Sequence, residues 1–191
     1  MKISNILDKI DEINAQDPNI EESEGQSYPK EILYSQRMTD MLHDYVTNPS
    51  DALQIAARGQ HIKRWSIPRS DYPMDRKGYL KWRTQLKIFH GELVAEILKS
   101  EGCSESFIKE VVELITKKNL KKDSQAKALE DVICLVFLKY YFKGFAAKSS
   151  HDKLIDIVQK TWGKMTEAGH EAALKLPFEE KELSIIKEAL A

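Results

Sequence analysis

Among the residues of this 191-residue chain whose types ligate a divalent metal or move a proton, His61, His90 and Asp131 stand out by their place in the apolar pattern. Each falls on or beside the apolar side of a segment with helical spacing. Leu53, Ala57 and His61 recur every four residues, and His90 lies in the stripe Tyr79, Trp82, Leu86, Phe89, Leu93, Val94 and Ile97. Asp131 heads the apolar run VICLVFLKYYF that starts at Val132. Two imidazoles and a carboxylate suit Zn, Mn or Fe, and water bound to such a metal becomes a nucleophile near neutral pH. The spacing predicts that the three residues converge as metal ligands, with His61 and Asp131 in catalytic roles. The plainer alternative is two hydrogen-bonded core histidines and an acid at a helix start.

The second chemical signal is charge. From Arg58 to Lys87 the chain carries nine Lys or Arg against two Asp, a local net of +7 in a protein whose total is −1. Clustered cations repel one another and are tolerated best where an anion relieves them. Arginine presents a planar fork matched to phosphate or carboxylate, and aromatic neighbours stack on guanidinium or on a nucleobase. Arg58, Arg64, Arg69, Arg76 and Arg83 are therefore the expected anion-binding residues, with Trp65, Tyr72 and Trp82 as stacking surfaces. The remaining sequence sums to −8 and shows no helix-turn-helix or heptad signature, which argues against broad binding to duplex DNA. Two prolines and neighbouring aromatic residues predict that Tyr72, Pro73 and Met74 are packed.

Helices must position these groups. Ile3, Ile6, Leu7, Ile10 and Ile13 mark a first helix, and a second after Pro29 buries Leu33, Tyr34, Met38, Met41, Leu42 and Tyr45. Asn48-Pro49 is a start signal for the third, which carries His61 near its end. Asp75 caps a long fourth helix that ends at Gly102. Later helices start near Ser104, Gln125, Ser150 and Pro177, and Asn19 to Ser27 reads as a solvated loop. No period of two persists, so the expected fold is all-α, a single-domain bundle of seven or eight helices over residues 1–191. Its N-terminal helix (2–15) and C-terminal helices (150–190) would pack on a core at 30–145. With 42% hydrophobic and 31% charged residues the composition is that of an ordinary globular protein. No apolar run approaches the roughly 18 residues needed to span a bilayer. The N-terminal segment has neither a signal-peptide core nor a transit-peptide bias, so the expected location is the cytoplasm. Cys103 and Cys134 lie far apart, which favours thiols over a disulfide or zinc site.

The strings YSQRMTDML from Tyr34, AARGQHIKRWSIPRSDYPMDRKGYLKWR from Ala56, FHGELVAEIL from Phe89, LEDVICLVFLKYYF from Leu129 and TWGKMTEAGHEAAL from Thr161 closely resemble a bacterial and fungal family catalogued as domain of unknown function 4202. The likeness covers nearly the whole chain and names no activity. More distantly, the order of segments is similar to the HD phosphohydrolase superfamily of all-helical metal enzymes. That resemblance implies an HD-like core with Asp131 in the place of the last ligand, although Gln60-His61 stands where the superfamily has a paired His-Asp. Together these readings predict a pocket that binds a phosphorylated small molecule or nucleotide, with metal-dependent phosphohydrolase activity. The alternative is a non-catalytic module that grips RNA or an acidic protein through the basic 58–87 stretch.

Overall fold

Isoleucine at positions 3, 6, 10 and 13 gives helix α1 (Ile3–Asn14) one apolar stripe, and Ile6 and Ile10 are fully buried. The computed structural model, which describes residues 2–120 and 122–191, is all-α apart from one short hairpin. In that hairpin β1 (Ile20–Ser23) pairs antiparallel with β2 (Gln26–Pro29), Ile20 opposite Pro29 and Ser23 opposite Gln26. Glu24 and Gly25 both have positive φ, as a two-residue turn between twisted strands requires. The segment expected to be a solvated loop is therefore a hairpin. It is fastened to α2 (Lys30–Tyr45) by Arg37, which pairs with Glu21 and donates to Ser23 Oγ at 3.1 Å.

Helix α3 (Asp51–Arg58) starts where Ser50 Oγ accepts the Leu53 N–H. It ends one turn earlier than its apolar spacing predicts, because Gly59 meets the next long helix: a Cβ there would press on Val94 Cγ2. His61 consequently sits in the turn beyond α3. That turn is anchored from below, since Ile62 is fully buried and Asn14 Oδ1 accepts the Lys63 N–H at 3.0 Å. Two single 3₁₀ turns, Arg64–Ser66 and Arg69–Asp71, lead to α4 (Arg76–Ser100), whose first turn is capped by Asp75.

Helix α5 (Glu105–Thr116) returns along α4 and ends at Lys117, a left-handed cap with φ 59°. The long apolar run then forms α6 (Ser124–Val136), one π turn (Phe137–Tyr141) and α7 (Phe142–Ala146). Leu129, Val132, Leu135, Val136, Leu138 and Phe142 are all buried, as expected of a central helix. α8 (His151–Trp162), α9 (Glu167–Ala173) and α10 (Glu180–Leu190) complete the chain, α8 lying against α10 and α9 against α6. Ten α-helices among the described residues exceed the seven or eight expected, in part because the π turn divides the central run. Among the described residues no helix is long and apolar enough to cross a membrane.

The connection before α4 is held by backbone contacts more than by apolar packing. Arg69 donates to the carbonyls of Tyr72 (2.9 Å), Pro73 (2.7 Å) and Asp75 (3.2 Å). Of the three residues expected to be packed, Tyr72 is half-buried, whereas Pro73 and Met74 are exposed, Met74 at 80%. A Cβ at buried Gly78 would overlap the Pro73 carbonyl, so the loop lies directly on the helix start. Gly78→Ala should therefore lower stability by about 1–3 kcal/mol. An unchanged urea midpoint would show that the loop is not seated there.

Candidate functional site

The 3.6-residue repeat of α4 brings Arg83, Leu86, Lys87 and His90 onto one face over two turns. Opposite them the turn after α3 presents Gln60, His61 and Arg64; Lys117 enters from the end of α5, and Ile133 of α6 closes the base. Together they line a pit of about 30 Å³. Such a volume admits a group the size of about two waters, not a whole nucleotide.

His90 is 2% exposed, and its Nδ1 lies 2.8 Å from the Ile62 carbonyl oxygen. A carbonyl only accepts, so Nδ1 carries the proton and donates it. Burial pushes the pKa of His90 down to about 4, with the Ile62 bond opposing the shift and Arg64 reinforcing it. The ring is thus neutral near pH 7, and Nε2 is a bare acceptor that is buried and has no partner. Gln60, 5% exposed, likewise has a buried Oε1 without a partner. An unpaired buried acceptor typically costs about 1–3 kcal/mol.

His61 stacks on Tyr34, with ring centroids 3.9 Å apart and planes at 11°, and its centroid is 6.0 Å from that of His90. Burial, then the charges of Arg64, His90, Arg83 and Lys117, hold its pKa well below the ordinary imidazole value. Its Nδ1 faces Glu31 Oε2 at 3.4 Å. Burial raises Glu31 to about 7 against the opposing pull of Arg64, so the contact between a neutral imidazole and a half-protonated carboxyl is not a full ion pair.

The cations are held at fixed positions. The Arg64 guanidinium lies 4.7 Å from the Trp82 ring centroid, while the Trp82 indole N–H donates to the Ile67 carbonyl at 2.9 Å. Trp82 is therefore a platform for Arg64, buried and covered, where a surface for a nucleobase was expected. Arg83 donates to the Tyr79 hydroxyl, and Lys117 pairs with buried Glu130. Burial, followed by repulsion from Lys117 and Arg83, lowers the pKa of Lys87.

Of the residues expected to form the site, the structure brings together His61, His90, Arg64 and Arg83, and places the others elsewhere. Arg58 turns back to α1 and α2: its Nε donates to Asp11 Oδ1 at 2.7 Å and its Nη1 to Thr39 Oγ1 at 3.1 Å. Arg69 holds its own loop, as described above, and Arg76 is exposed on the first turn of α4. Trp65 and Tyr72 are half-buried and do not line the pit. Asp131, 1% exposed, is fully engaged: Oδ1 accepts the Thr166 N–H (2.8 Å), and Oδ2 accepts the hydroxyls of Thr166 (2.6 Å) and Tyr45 (2.8 Å). It anchors the start of α9, where Gly169 packs directly against the carboxylate. Among the described residues no group of three or more His, Cys, Asp or Glu is disposed to hold a metal ion. The donor set expected for Zn, Mn or Fe thus does not fit, since its carboxylate already serves three protein donors.

Gln60, Lys87 and Lys117 were missed as site residues, as was Glu31 behind His61. Lys87 had a signal, lying four residues after Arg83 and three before His90 on one helical face. Lys117 had none, because only the packing of α5 on α4 brings it in.

Two outcomes follow. Asp131→Ala leaves Thr166 and Tyr45 without their acceptor and should cost about 1–3 kcal/mol or more in urea unfolding. Loss of anion binding with unchanged stability would show that Asp131 belongs to the pit instead. For Glu31, the folded pKa of about 7 lies above the ordinary 4.5, so the native state holds the extra proton between those values. Stability is then highest below about pH 4.5 and falls as pH rises to about 7, by up to about 3 kcal/mol from this group. Glu31→Gln should match the parent at low pH and exceed it above pH 7, and equal stability of the two at pH 8 would count against the burial of that charge.

No curated protein and no solved structure matches the chain. The model of the family described as Domain of unknown function (DUF4202) matches residues 4–186, a span that contains every residue lining the pit, and the chain belongs to that family.

Proposed function

We propose that this protein binds a phosphorylated small molecule, taking its phosphoryl group end-on into the pit between α3, α4 and α5. The observation that carries this reading is the convergence of Arg64, Arg83, Lys87 and Lys117 on a space of about 30 Å³. Burial first, and then repulsion from Lys117 and Arg83, lowers the pKa of Lys87, and a bound anion would relieve the repulsion. A space this small takes the leading oxygens of a phosphoryl group and leaves the rest of the molecule at the rim. Binding has better support than the metal-dependent hydrolysis expected from the HD likeness, because Asp131 is committed to Thr166 and Tyr45. The RNA-binding alternative draws on different residues: Arg76, Lys77 and Lys81 are exposed on the first turns of α4 beside Leu80. A phosphate-driven RNA interface loses affinity steeply with salt, whereas a ligand enclosed by protein is screened far less.

Calorimetric titration with inorganic phosphate and small phosphate monoesters tests the proposal. Arg64→Lys keeps the charge but removes the planar fork, and should cost about 1–3 kcal/mol of ligand affinity. Arg58→Lys should weaken the tie to Asp11 and lower stability while leaving affinity unchanged. Equal affinity of the parent and Arg64→Lys, or an effect confined to Arg58→Lys, would overturn the assignment.

A further inference from the structure

The cations that line the pit satisfy the charge of an oxyanion, Lys117 also serving Glu130, but two buried polar atoms on residues of its lining ask for something a bare anion does not have. His90 Nε2 and Gln60 Oε1 are buried acceptors without donors. The two differ in how firmly that role is fixed. A glutamine amide can turn over and offer its NH₂ group. The imidazole has no such freedom, since Nδ1 donates to the Ile62 carbonyl and rotation of the ring would break that bond.

We infer that the pit selects an oxyanion bearing a hydrogen on oxygen, that is inorganic phosphate or a phosphate monoester in its monoanionic form, over sulfate and over phosphodiesters. The inference rests on the phosphoryl-binding reading above and narrows it to a ligand class. An anion seated among Arg64, Arg83, Lys87 and Lys117 presents its unprotonated oxygens to N–H donors on those sides. The oxygen toward His90 meets a lone pair. If that oxygen carries a hydrogen, it donates to Nε2 and the last unpaired acceptor is satisfied. If it does not, two lone pairs face each other across the pit. Sulfate at neutral pH has no hydrogen to give, and a phosphodiester has lost its P–OH to the second ester bond. Sites built to bond a hydroxyl reject analogues that lack it far more strongly than apolar pockets reject a missing methylene.

The test is calorimetric titration of the full chain at pH 6 and constant ionic strength with inorganic phosphate, methyl phosphate, sulfate and dimethyl phosphate. At that pH about half of the monoester retains its P–OH, given a second pKa of about 6. The expected result is that phosphate and methyl phosphate bind while sulfate and dimethyl phosphate bind at least about tenfold more weakly. Sulfate is the decisive comparison because it matches phosphate in shape. His90→Gln, whose amide can rotate to donate, should bring the ratio of phosphate to sulfate affinity toward one. If that variant does not fold, the comparison of ligands on the parent protein decides alone. Equal binding of phosphate and sulfate by the parent overturns the selectivity and leaves the anion pit standing. No binding of any of the four anions overturns the phosphoryl-binding reading itself and the selectivity with it.

Discussion

The hydrogen bond from His90 Nδ1 to the Ile62 carbonyl ties the turn after α3 to the middle of α4, and the geometry of the candidate site depends on it. The turn is too short to have a core of its own. It is held by three contacts that arrive from different elements: Gly59 against Val94, buried Ile62 beneath, and Asn14 Oδ1 on the Lys63 N–H. Once these are made, Gln60, His61 and Arg64 must face Arg83, Lys87 and His90 across a narrow gap. The positive φ of Lys63, 52°, is a sign of how sharply the backbone bends there.

Arginine serves two separate purposes in this protein, and the local partners decide which. Arg37 and Arg58 have carboxylates waiting, Glu21 and Asp11, and join the hairpin and α1 to the helical core. These are charge-assisted contacts between elements distant in sequence, so their role is architectural. Arg64 and Arg83 instead rest on aromatic rings, 4.7 Å from Trp82 and 5.9 Å from Tyr79 respectively. A ring positions a guanidinium through its face while leaving N–H groups unspent. That difference is what makes the second pair available to a ligand.

Much of this architecture was legible in the sequence and the rest was not, for physical reasons. Apolar stripes gave the helices, Asp75 and Ser104 marked real caps, and the burial of His90 followed from its place among Trp82, Leu86 and Val94, whereas the third helix is capped by Ser50, two residues after the Asn48 that its start signal pointed to. The fourfold spacing of Leu53, Ala57 and His61 placed His61 near the right neighbours but on a helix that stops three residues earlier, because close packing at Gly59 outweighs the local pattern. The hairpin escaped notice because four-residue strands rich in Glu and Ser carry too little alternation to register. Arg58 and Arg64 differ by only six positions and look equivalent in a charge count. What separates them is whether Asp11 or Trp82 lies opposite, and that is a tertiary fact.

Asp131 and His90 show how differently two buried polar groups can be treated by one core. Asp131 has donors for both oxygens, drawn from Tyr45 on α2 and Thr166 at the start of α9, so its burial on an apolar helix is accounted for by packing alone. His90 is only half satisfied. The Ile62 carbonyl requires one donor, and Nδ1 supplies it. Stability therefore explains Nδ1 and does not explain Nε2, which remains a cost of about 1–3 kcal/mol to the free fold. Groups left short in this way, beside four converging cations, are disposed toward something other than the protein's own chain.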